Sequence, residues 1–433
     1  MNYIEIKDFG PVGYARIDLT KDIQVVIGSQ ASGKSTVFRM VYFCQKIRDY
    51  ILEYLMMEDQ LEGTHSDNLF PNCMKFLTGK FLDCFGKTLH MQNFTVQYQI
   101  DDKRWLSIML NKEHYIRFRF SNNMRNEIKE LLHSSRELHQ KMRAVPIGER
   151  LENRKYISRQ MTDSLQQIFK NENRLIYIPA GRSLLSTLSD QLLKAFDVKM
   201  DLMMQEFCQL IEDTKQRFDS RIPDLLRTYT QTVSGQVNNM ALEEIYQMIN
   251  RILKADYVSD SDGEKMYYDA YHYVKLQYAS SGQHEALWIL MLCYLVVLAN
   301  KKTILVVDEP EAHLFPEAQK WIVSLMVMTA NASGSKIMVT THSPYILTAL
   351  NVLALSGQVE RKSSIDSIVP RSQRILPGNM TAFSIDEKKD KGNEILSIID
   401  EETGLIEAEY IDSVSAQINQ EFDKLLAKEI NGE

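Results

Sequence analysis

The sequence predicts an α/β fold, in which a mixed β-sheet with an antiparallel meander is joined to a lobe of helices. The apolar run Ile304–Val307 is typical of a strand that is buried on both faces of a parallel sheet. The runs Thr95–Ile100, Trp105–Leu110 and Tyr115–Phe120 are separated by short polar turns and predict the meander. Between about Ser183 and Lys254, large apolar residues recur at helical spacing, which predicts the helical lobe.

Length and composition limit the organisation. At 433 residues the chain exceeds what one core usually fills, so one large lobe or two to three intimately joined lobes are expected. The formal net charge of −7 excludes a global positive field, so any nucleic-acid contact needs a local patch or a partner. The 5 cysteines lie far apart without a C-x-x-C pair, which predicts reduced, mostly buried thiols rather than a disulfide frame or a zinc site.

No segment predicts export or membrane insertion. The N-terminus MNYIEIKDFG lacks a basic region followed by an apolar one. The longest apolar run, Ala286–Ala299, is too short to span a bilayer comfortably and predicts a buried core helix. We therefore expect a cytoplasmic protein without a membrane partner.

The first 35 residues predict three strands followed by a phosphate-binding loop. GSQASGKST begins at Gly28, satisfies the pattern G-x-x-x-x-G-K-[ST], and precedes a helical stretch from Lys34 to about Tyr50. Glycines let backbone N–H groups point at phosphate oxygens, and the helix adds its positive N-terminal end. Lys34 is expected to reach the β- and γ-phosphates, and the Ser35 hydroxyl to bind Mg²⁺. The nucleotide-binding residues expected in this phosphate loop are Gly28, Ser29, Gln30, Ala31, Ser32, Gly33, Lys34, Ser35 and Thr36.

The segment from Ser121 to Arg174 is helical in pattern and carries 11 Lys and Arg against 7 Asp and Glu. A solvated helical pair explains this excess, and contact with DNA or a partner is the alternative. The next segment, Arg174–Pro179, predicts a short buried strand that ends in the loop AGRS. Further on, the DSDG turn within Asp256–Gln277 predicts a β-hairpin.

Acidic residues follow the buried strand of the sequence KKTILVVDEP. At the carboxyl end of a parallel strand, acids face the ligand crevice. Asp308 is therefore expected to hold Mg²⁺, and Glu309 to orient and polarise an attacking water. The next predicted strand, Lys336–Thr340, ends near His342, which is expected to bond a γ-phosphate through one ring nitrogen while the protein holds the other.

A second anion site is predicted before the long apolar helix. Serine hydroxyls, a glycine N–H and a helix N-terminus together can bind phosphate. One chain rarely needs two γ-phosphate cradles, so this one is expected to close over the nucleotide bound by another copy. Its residues, named here the signature segment, are Ser280, Ser281, Gly282 and Gln283.

Together these motifs resemble those of an ABC-type ATPase of the SMC, RecF and OLD (overcoming lysogenization defect) branch. GSQASGKST resembles its Walker A, ILVVDEP its Walker B, ASSGQ its signature, EAHL its D-loop and THSPYIL its switch-histidine segment. The resemblance implies a P-loop NTPase head that binds ATP and Mg²⁺ between two head-to-tail copies. DEPEAHLFP and TTHSPYIL are also similar to stand-alone ATPases often found in bacterial anti-phage defence operons beside a separate nuclease.

On this basis the chain is expected to divide into four parts. These are lobe I with Walker A and the meander (1–120), a charged helical insertion (121–174), a Q-loop-like segment with helical lobe II and the signature (175–285), and a part with Walker B, D-loop, switch histidine and C-terminal tail (286–433).

Three departures from the family pattern limit this resemblance. No glutamine follows RLIYIP, so Arg182 either replaces the Q-loop glutamine in sensing the γ-phosphate and metal, or serves the structure. No long heptad repeat lies between the Walker motifs, so an SMC-length arm is not expected. The acids after Asn351 fall in polar turns, so nuclease activity within this chain is not expected.

The leading hypothesis is an ATP-hydrolysing homodimer, with higher oligomers left open, that gates a separate effector such as a nuclease in anti-phage defence. The alternative is a DNA-binding repair ATPase of RecF type. The residues that favour it are Arg150, Arg154, Lys155 and Arg159. A transporter subunit is a third reading, which the missing Q-loop glutamine and the large helical insertion argue against.

Overall fold

The computed structural model describes residues 2–57, 68–91, 93–143, 149–183, 200–232, 239–359, 365–386, 392–407 and 420. The strands are β1 (Tyr3–Phe9), β2 (Val12–Asp18), β3 (Ile23–Gly28), β4 (Thr95–Gln99), β5 (Trp105–Leu110), β6 (Ile116–Phe120), β7 (Arg174–Ile178), β8 (Asp256–Asp260), β9 (Gly263–Tyr267), β10 (Tyr273–Lys275), β11 (Thr303–Asp308), β12 (Lys336–Thr341), β13 (Met380–Asp386) and β14 (Asn393–Ser397). The α-helices are α1 (Lys34–Leu55), α2 (Leu69–Phe85), α3 (Asn122–Arg143), α4 (Arg150–Phe169), α5 (Leu202–Lys215), α6 (Ile222–Thr232), α7 (Asn239–Leu253), α8 (Ser281–Ala299), α9 (Pro316–Ser333) and α10 (Pro344–Val359), with short 3₁₀ turns at Leu276–Tyr278 and Arg371–Gln373.

Eleven strands form one mixed sheet in the order β6-β5-β4-β1-β2-β14-β13-β3-β12-β11-β7. The strands β13, β3, β12, β11 and β7 are parallel neighbours, whereas β6, β5, β4, β1 and β2 form the antiparallel meander. The strand β14 joins the two halves, because it pairs antiparallel with β13 and parallel with β2. The predicted fold class is confirmed, and the predicted hairpin is present as β8 and β9.

The parallel strands are buried on both faces, as their unbroken apolar sequences predict. Alternate residues of β11 point into different cores: Ile304 and Val306 into one, Leu305 and Val307 into the other. The first core is completed by α1 to α4, and the second mainly by α7 to α10. The sheet is therefore shared by two hydrophobic cores, one on each side.

The charged insertion is not simply a solvated pair. Leu132 of α3 and Met161 of α4 belong to the same core as α1. Ser135 donates a hydrogen bond to the carbonyl of Leu55 (2.9 Å), and His139 Nε2 lies 2.9 Å from the same oxygen. These side chains serve the carbonyl end of α1, where helix carbonyls lack intrahelical partners. Only the outer faces of α3 and α4 meet solvent.

The region after Asn351 contributes to the central sheet, which the sequence analysis did not predict. Ala382 of β13 lies opposite Val25 of β3, so a C-terminal strand directly flanks the strand that leads into the phosphate loop. The sequence MTAFSID places Ala382 and Ile385 among buried residues, and this strand pattern was overlooked.

The apolar run at Ala286–Ala299 lies in α8, and its prediction as a core helix is confirmed. Within the described residues, α8 is the one helix long and apolar enough to cross a membrane, but 72% of that stretch is buried inside the fold. Trp288 on this helix is fully buried and packs edge-on against Tyr257.

Candidate functional site

Three parallel strands bring the predicted chemistry to one edge of the sheet, named here the carboxyl edge. Thr340 lies opposite both Asp308 of β11 and Val26 of β3. The residues that follow each strand therefore meet in space. The phosphate loop, Asp308 with Glu309, and His342 are brought together as the strand order requires.

The phosphate loop depends on its glycines. Gly33, which precedes α1, has φ of 105°, and a Cβ there would lie 2.9 Å from Val12. A Cβ on Gly28 would lie 2.8 Å from the Ser32 hydroxyl and 3.1 Å from the carbonyl of Ile385. Any larger residue at either position would push the loop away from its neighbours.

The remaining loop residues are placed as follows. Ser29, Gln30 and Ala31 are exposed, Ser32 is buried, and Ser35 and Thr36 are half-buried at the start of α1. The loop also has a partner that sequence reasoning missed, because the Asn393 side chain of β14 donates to the Ser32 carbonyl (2.8 Å).

Lys34 is buried with its ammonium folded over the loop. Its Nζ donates to the carbonyls of Gly28 (3.0 Å) and Ser29 (2.7 Å). Burial lowers the Lys34 pKa, and the nearby carboxyls of Glu309, Glu311 and Asp308 partly oppose this shift. The positive charge of Lys34 and the acids after β11 thus face one another across the site.

Asp308 is held by side chains from both neighbouring strands. Its Oδ2 accepts a hydrogen bond from the Tyr177 hydroxyl (2.5 Å), and its Oδ1 accepts one from the Thr340 hydroxyl (2.9 Å). The Ser35 hydroxyl also lies close to this carboxyl. Burial raises the Asp308 pKa, and these hydrogen bonds oppose the rise because they favour the carboxylate. Tyr177 and Thr340 were not identified from the sequence.

Glu309 has φ of 47°, a left-handed conformation that is unusual for a residue with a side chain. Its Oε1 lies 3.0 Å from His342 Nε2. The described structure therefore pairs His342 with the expected base, which is a contact that the sequence analysis did not predict. The predicted contact of His342 with a γ-phosphate remains a prediction.

Glu311 connects the turn after β11 with the end of β12. Its Oε1 accepts hydrogen bonds from the Thr341 hydroxyl and the His342 backbone N–H, both at 2.7 Å. Burial raises the Glu311 pKa. Glu311 is the first residue of the EAHL motif, and these two hydrogen bonds fix the backbone that carries His342.

The signature segment begins α8 with a capping box. The Ser280 hydroxyl accepts from Gln283 N (3.3 Å), and the Gln283 side chain accepts from Ser280 N (3.0 Å). Ser280 and Ser281 are exposed, whereas a Cβ on Gly282 would lie 2.9 Å from the carbonyl of His313. The segment is thus packed against the turn that follows Glu309 and presents its serines to solvent.

Arg182 is fully buried, and its donors are directed at backbone carbonyls. They bond to Pro179, Glu285, Asp308 and Glu309 at 2.6–3.0 Å. Of the two roles left open for Arg182, these contacts within the protein weigh against direct sensing of the γ-phosphate and metal.

The residues at this edge fit a magnesium nucleotide. Mg²⁺ prefers oxygen ligands, and the Ser35 hydroxyl and Asp308 carboxyl contact one another. The Ser32 hydroxyl is buried within the loop and has no hydrogen-bond partner in the described part of the chain. A loop with inward N–H groups, a lysine and such a hydroxyl is suited to phosphate oxygens.

The comparison with protein families agrees with this chemistry. A family described as AAA ATPase domain matches residues 1–347. No curated protein matches the chain. Among solved structures, the chain is similar to the SMC head bound to the C-winged helix domain of ScpA, with 12% identity, 91% of this chain and 96% of that chain covered, and a TM-score of 0.42. The SMC head domain from Thermotoga maritima has 10% identity, coverage of 92% and 99%, and a TM-score of 0.37.

The family match spans most of the chain and includes all the motifs up to the switch-histidine segment. The chain therefore belongs to the AAA ATPase domain family, and this match, with the five motifs in order, confirms its resemblance to ABC-type ATPases of the SMC, RecF and OLD branch.

Proposed function

We propose that this family member binds ATP with Mg²⁺ at the carboxyl edge and hydrolyses it between two copies of the chain. The observation that carries the proposal is the convergence of Lys34, Asp308, Glu309 and His342 at the ends of β3, β11 and β12. Loop N–H groups and a buried lysine suit the phosphates, and a carboxylate beside them suits a water nucleophile.

Each residue has a distinct role in this proposal. Bound Mg²⁺ supplies neutralising charge beside the phosphates, and Ser35 and Asp308 are the residues that hold it. Lys34 binds the β- and γ-phosphates. Glu309 orients and polarises the attacking water, and His342 holds the Glu309 carboxylate in position through Nε2.

A second copy is proposed to complete the site with its signature segment. Exposed aromatic rings lie just before this segment and on the elements linked to it: Tyr278 is 74% exposed, Phe315 77% and Tyr345 53%. The intervening contacts are continuous, since Gly282 packs on the turn before Phe315 and Gln319 bonds to Ser343 (2.6 Å). Exposed aromatic side chains are enriched at protein interfaces.

Mixing two inactive variants tests the shared site. Lys34→Ala removes the phosphate ligand, and Ser281→Glu places a negative charge in the signature segment, where the α8 N-terminus tolerates it. At equal amounts, half of the dimers are mixed and each has one intact site of two, so about a quarter of wild-type ATP hydrolysis is expected to return. Absence of any recovery, when both variants bind each other in pull-down, contradicts a site shared between copies.

Glu309→Gln is expected to slow hydrolysis and prolong an ATP-bound dimer, as measured by light scattering after size-exclusion chromatography. If the Glu309→Gln variant hydrolyses ATP at the wild-type rate, the role proposed for Glu309 is wrong. If the wild-type protein stays monomeric with ATP and Mg²⁺, the proposed dimer is wrong.

The ATP-dependent dimer is further proposed to gate a separate effector, such as a nuclease, in anti-phage defence. The support is the similarity of DEPEAHLFP and TTHSPYIL to stand-alone ATPases of such operons. Closure that depends on the γ-phosphate gives hydrolysis a conformational consequence that a partner can read. Co-purification with the product of the neighbouring gene, with and without ATP, tests this step. If the partner binds equally with ATP, with ADP and with neither, gating is excluded.

DNA binding is the second candidate, and one surface favours it. Arg150, Arg154, Lys155 and Arg159 are all exposed on α4. ATP-dependent binding of duplex DNA that weakens steeply with salt, and weakens further in Arg154→Glu, supports this candidate. No binding at low salt dismisses it.

A further inference from the structure

Arg182 joins three segments of the chain at the candidate site. It lies in the loop after β7 and is fully buried. Its guanidinium donates to the carbonyls of Glu285 (2.6 Å), Asp308 (2.8 Å), Pro179 (3.0 Å) and Glu309 (3.0 Å). The end of β7, the start of α8 and the turn after β11 are therefore bonded to a single side chain.

The carbonyls after β11 need this side chain because the neighbouring strand has ended. β7 pairs with β11 as far as Ile178, which lies opposite Val307. Beyond that register, β7 offers no strand N–H to the carbonyls of Asp308 and Glu309. Buried carbonyls are unfavourable without a donor, and Arg182 supplies donors to both.

Arg182 also fixes the backbone of Glu309. A φ of 47° is strained for a residue with a Cβ, so the surrounding structure must hold it. The Glu309 N–H donates to the Thr340 carbonyl (3.0 Å), and its own carbonyl accepts from Arg182. Both backbone groups are thus restrained, and so is the direction of the side chain that meets His342.

The same guanidinium is tied to the helix of the signature segment. The Glu285 Oε2 lies 3.4 Å from Arg182 Nε, and its Oε1 accepts from the Ser183 N–H (3.3 Å). Glu285 lies five residues after Ser280 on α8. Because it is in the second turn of a continuous hydrogen-bonded helix, a shift of the signature segment moves Glu285 and its carbonyl with it.

We propose that Arg182 is a positioning residue that couples the signature segment to Glu309 within each chain. When the segment engages the nucleotide of the second copy, α8 and the turn after β11 move together because Arg182 and Glu285 hold them. This inference rests on the proposed ATPase function, since it assigns Arg182 an effect on hydrolysis and not on nucleotide binding.

Arg182→Lys is the first test, because lysine keeps the charge but cannot reach four carbonyls with one ammonium. We expect kcat for ATP hydrolysis to fall about tenfold or more, while KM and the Kd of a fluorescent ATP analogue stay within about twofold of wild type. ATP-dependent dimerisation is expected at the wild-type ATP concentration, because the binding residues are intact.

Arg48→Lys is the matched control. Arg48 is also largely buried, and its guanidinium donates to the carbonyls of Asn171 (2.5 Å) and Asn173 (2.9 Å) just before β7, at the far end of the same strand. It is expected to lower Tm without changing kcat. Should Arg182→Lys lower Tm to the same extent and keep its kcat, Arg182 is structural and the coupling proposal is overturned.

Glu285→Gln gives an independent route if Arg182→Lys does not fold. The glutamine amide oxygen keeps an acceptor for the Ser183 N–H and loses the charge opposite Arg182. We expect a fall in kcat in this variant, and in the double variant a loss no larger than that of Arg182→Lys alone. Losses that multiply mean that the two residues act separately, which contradicts the coupling. A wild-type protein that binds the ATP analogue but neither hydrolyses ATP nor dimerises is a failure of the proposed function instead.

Discussion

Tyr177→Phe removes one hydrogen bond to Asp308 and leaves the Asp308 carboxyl itself unchanged. The substitution removes one hydroxyl, which donates to Asp308 Oδ2 at 2.5 Å, and keeps the ring that packs against Tyr42. Both partners are buried, so no water replaces the lost donor. A hydrogen bond to a charged group contributes about 1.5–3 kcal/mol, and we expect the free energy of unfolding in urea to fall by this amount.

The same change is expected to weaken the magnesium site. A side chain that orients a metal ligand typically contributes about 10–100-fold in metal affinity or activity, so the Mg²⁺ concentration for half-maximal ATP hydrolysis should rise by that factor. Tyr294→Phe is the control, because the Tyr294 hydroxyl is buried without a hydrogen-bond partner in the described part of the chain. Its variant should be as stable as wild type or more stable. Equal stability and equal Mg²⁺ dependence for Tyr177→Phe and wild type refute the reasoning.

Three further predictions concern the rest of the molecule. Gly357→Ala should destabilise the fold by about 1–3 kcal/mol in urea unfolding, because its Cβ would lie 1.9 Å from the Ile375 carbonyl. Gly79→Ala, in a helix with open space around it, should instead stabilise by about 0.5–1 kcal/mol, and equal effects at the two sites contradict the packing. Under native conditions iodoacetamide should modify Cys208 first, as read by mass spectrometry, because Cys208 is half-buried whereas the other four cysteines are buried; burial raises the pKa of all five thiols, so access to the reagent decides. Hydrogen bonds from two backbone N–H groups lower the pKa of Asp269 from 3.8 to about 2. The stabilisation that Asp269 gives its loop is therefore present above pH 3.8 and is lost as the pH falls through 2. An NMR titration that finds the ordinary pKa for Asp269 contradicts this prediction.

The parts of the site that the sequence predicted are those encoded by residues that are adjacent in the chain. The phosphate loop is one continuous motif, and Asp308 with Glu309 directly follows an apolar run. The strands that precede these residues, β3 and β11, had to run parallel in one sheet, and their apolar composition favours this, although β12 lies between them.

The parts that were missed depend on pairing between distant segments. Tyr177 reads as one more apolar residue of a buried strand, and its hydroxyl gains a role only because β7 lies beside β11. The sequence around Asn393 is typical of a turn, and Asn393 contacts the phosphate loop only because β14 pairs between β2 and β13 in the sheet. The spacing of apolar residues within one strand does not show which distant strand will lie beside it.

At the carboxyl edge, neighbouring strands are thus joined by hydrogen bonds between side chains as well as by the backbone pairing. Tyr177 and Thr340 both bond to Asp308, and Thr341 bonds to Glu311. Buried polar groups of this kind are costly unless every partner stays in place, so the edge resists distortion. Movement driven by nucleotide is then expected to carry this edge and the start of α8 together, because Arg182 bonds to both. A stiff edge linked to a helix is the arrangement in which a small change at a phosphate becomes a displacement of a whole helix.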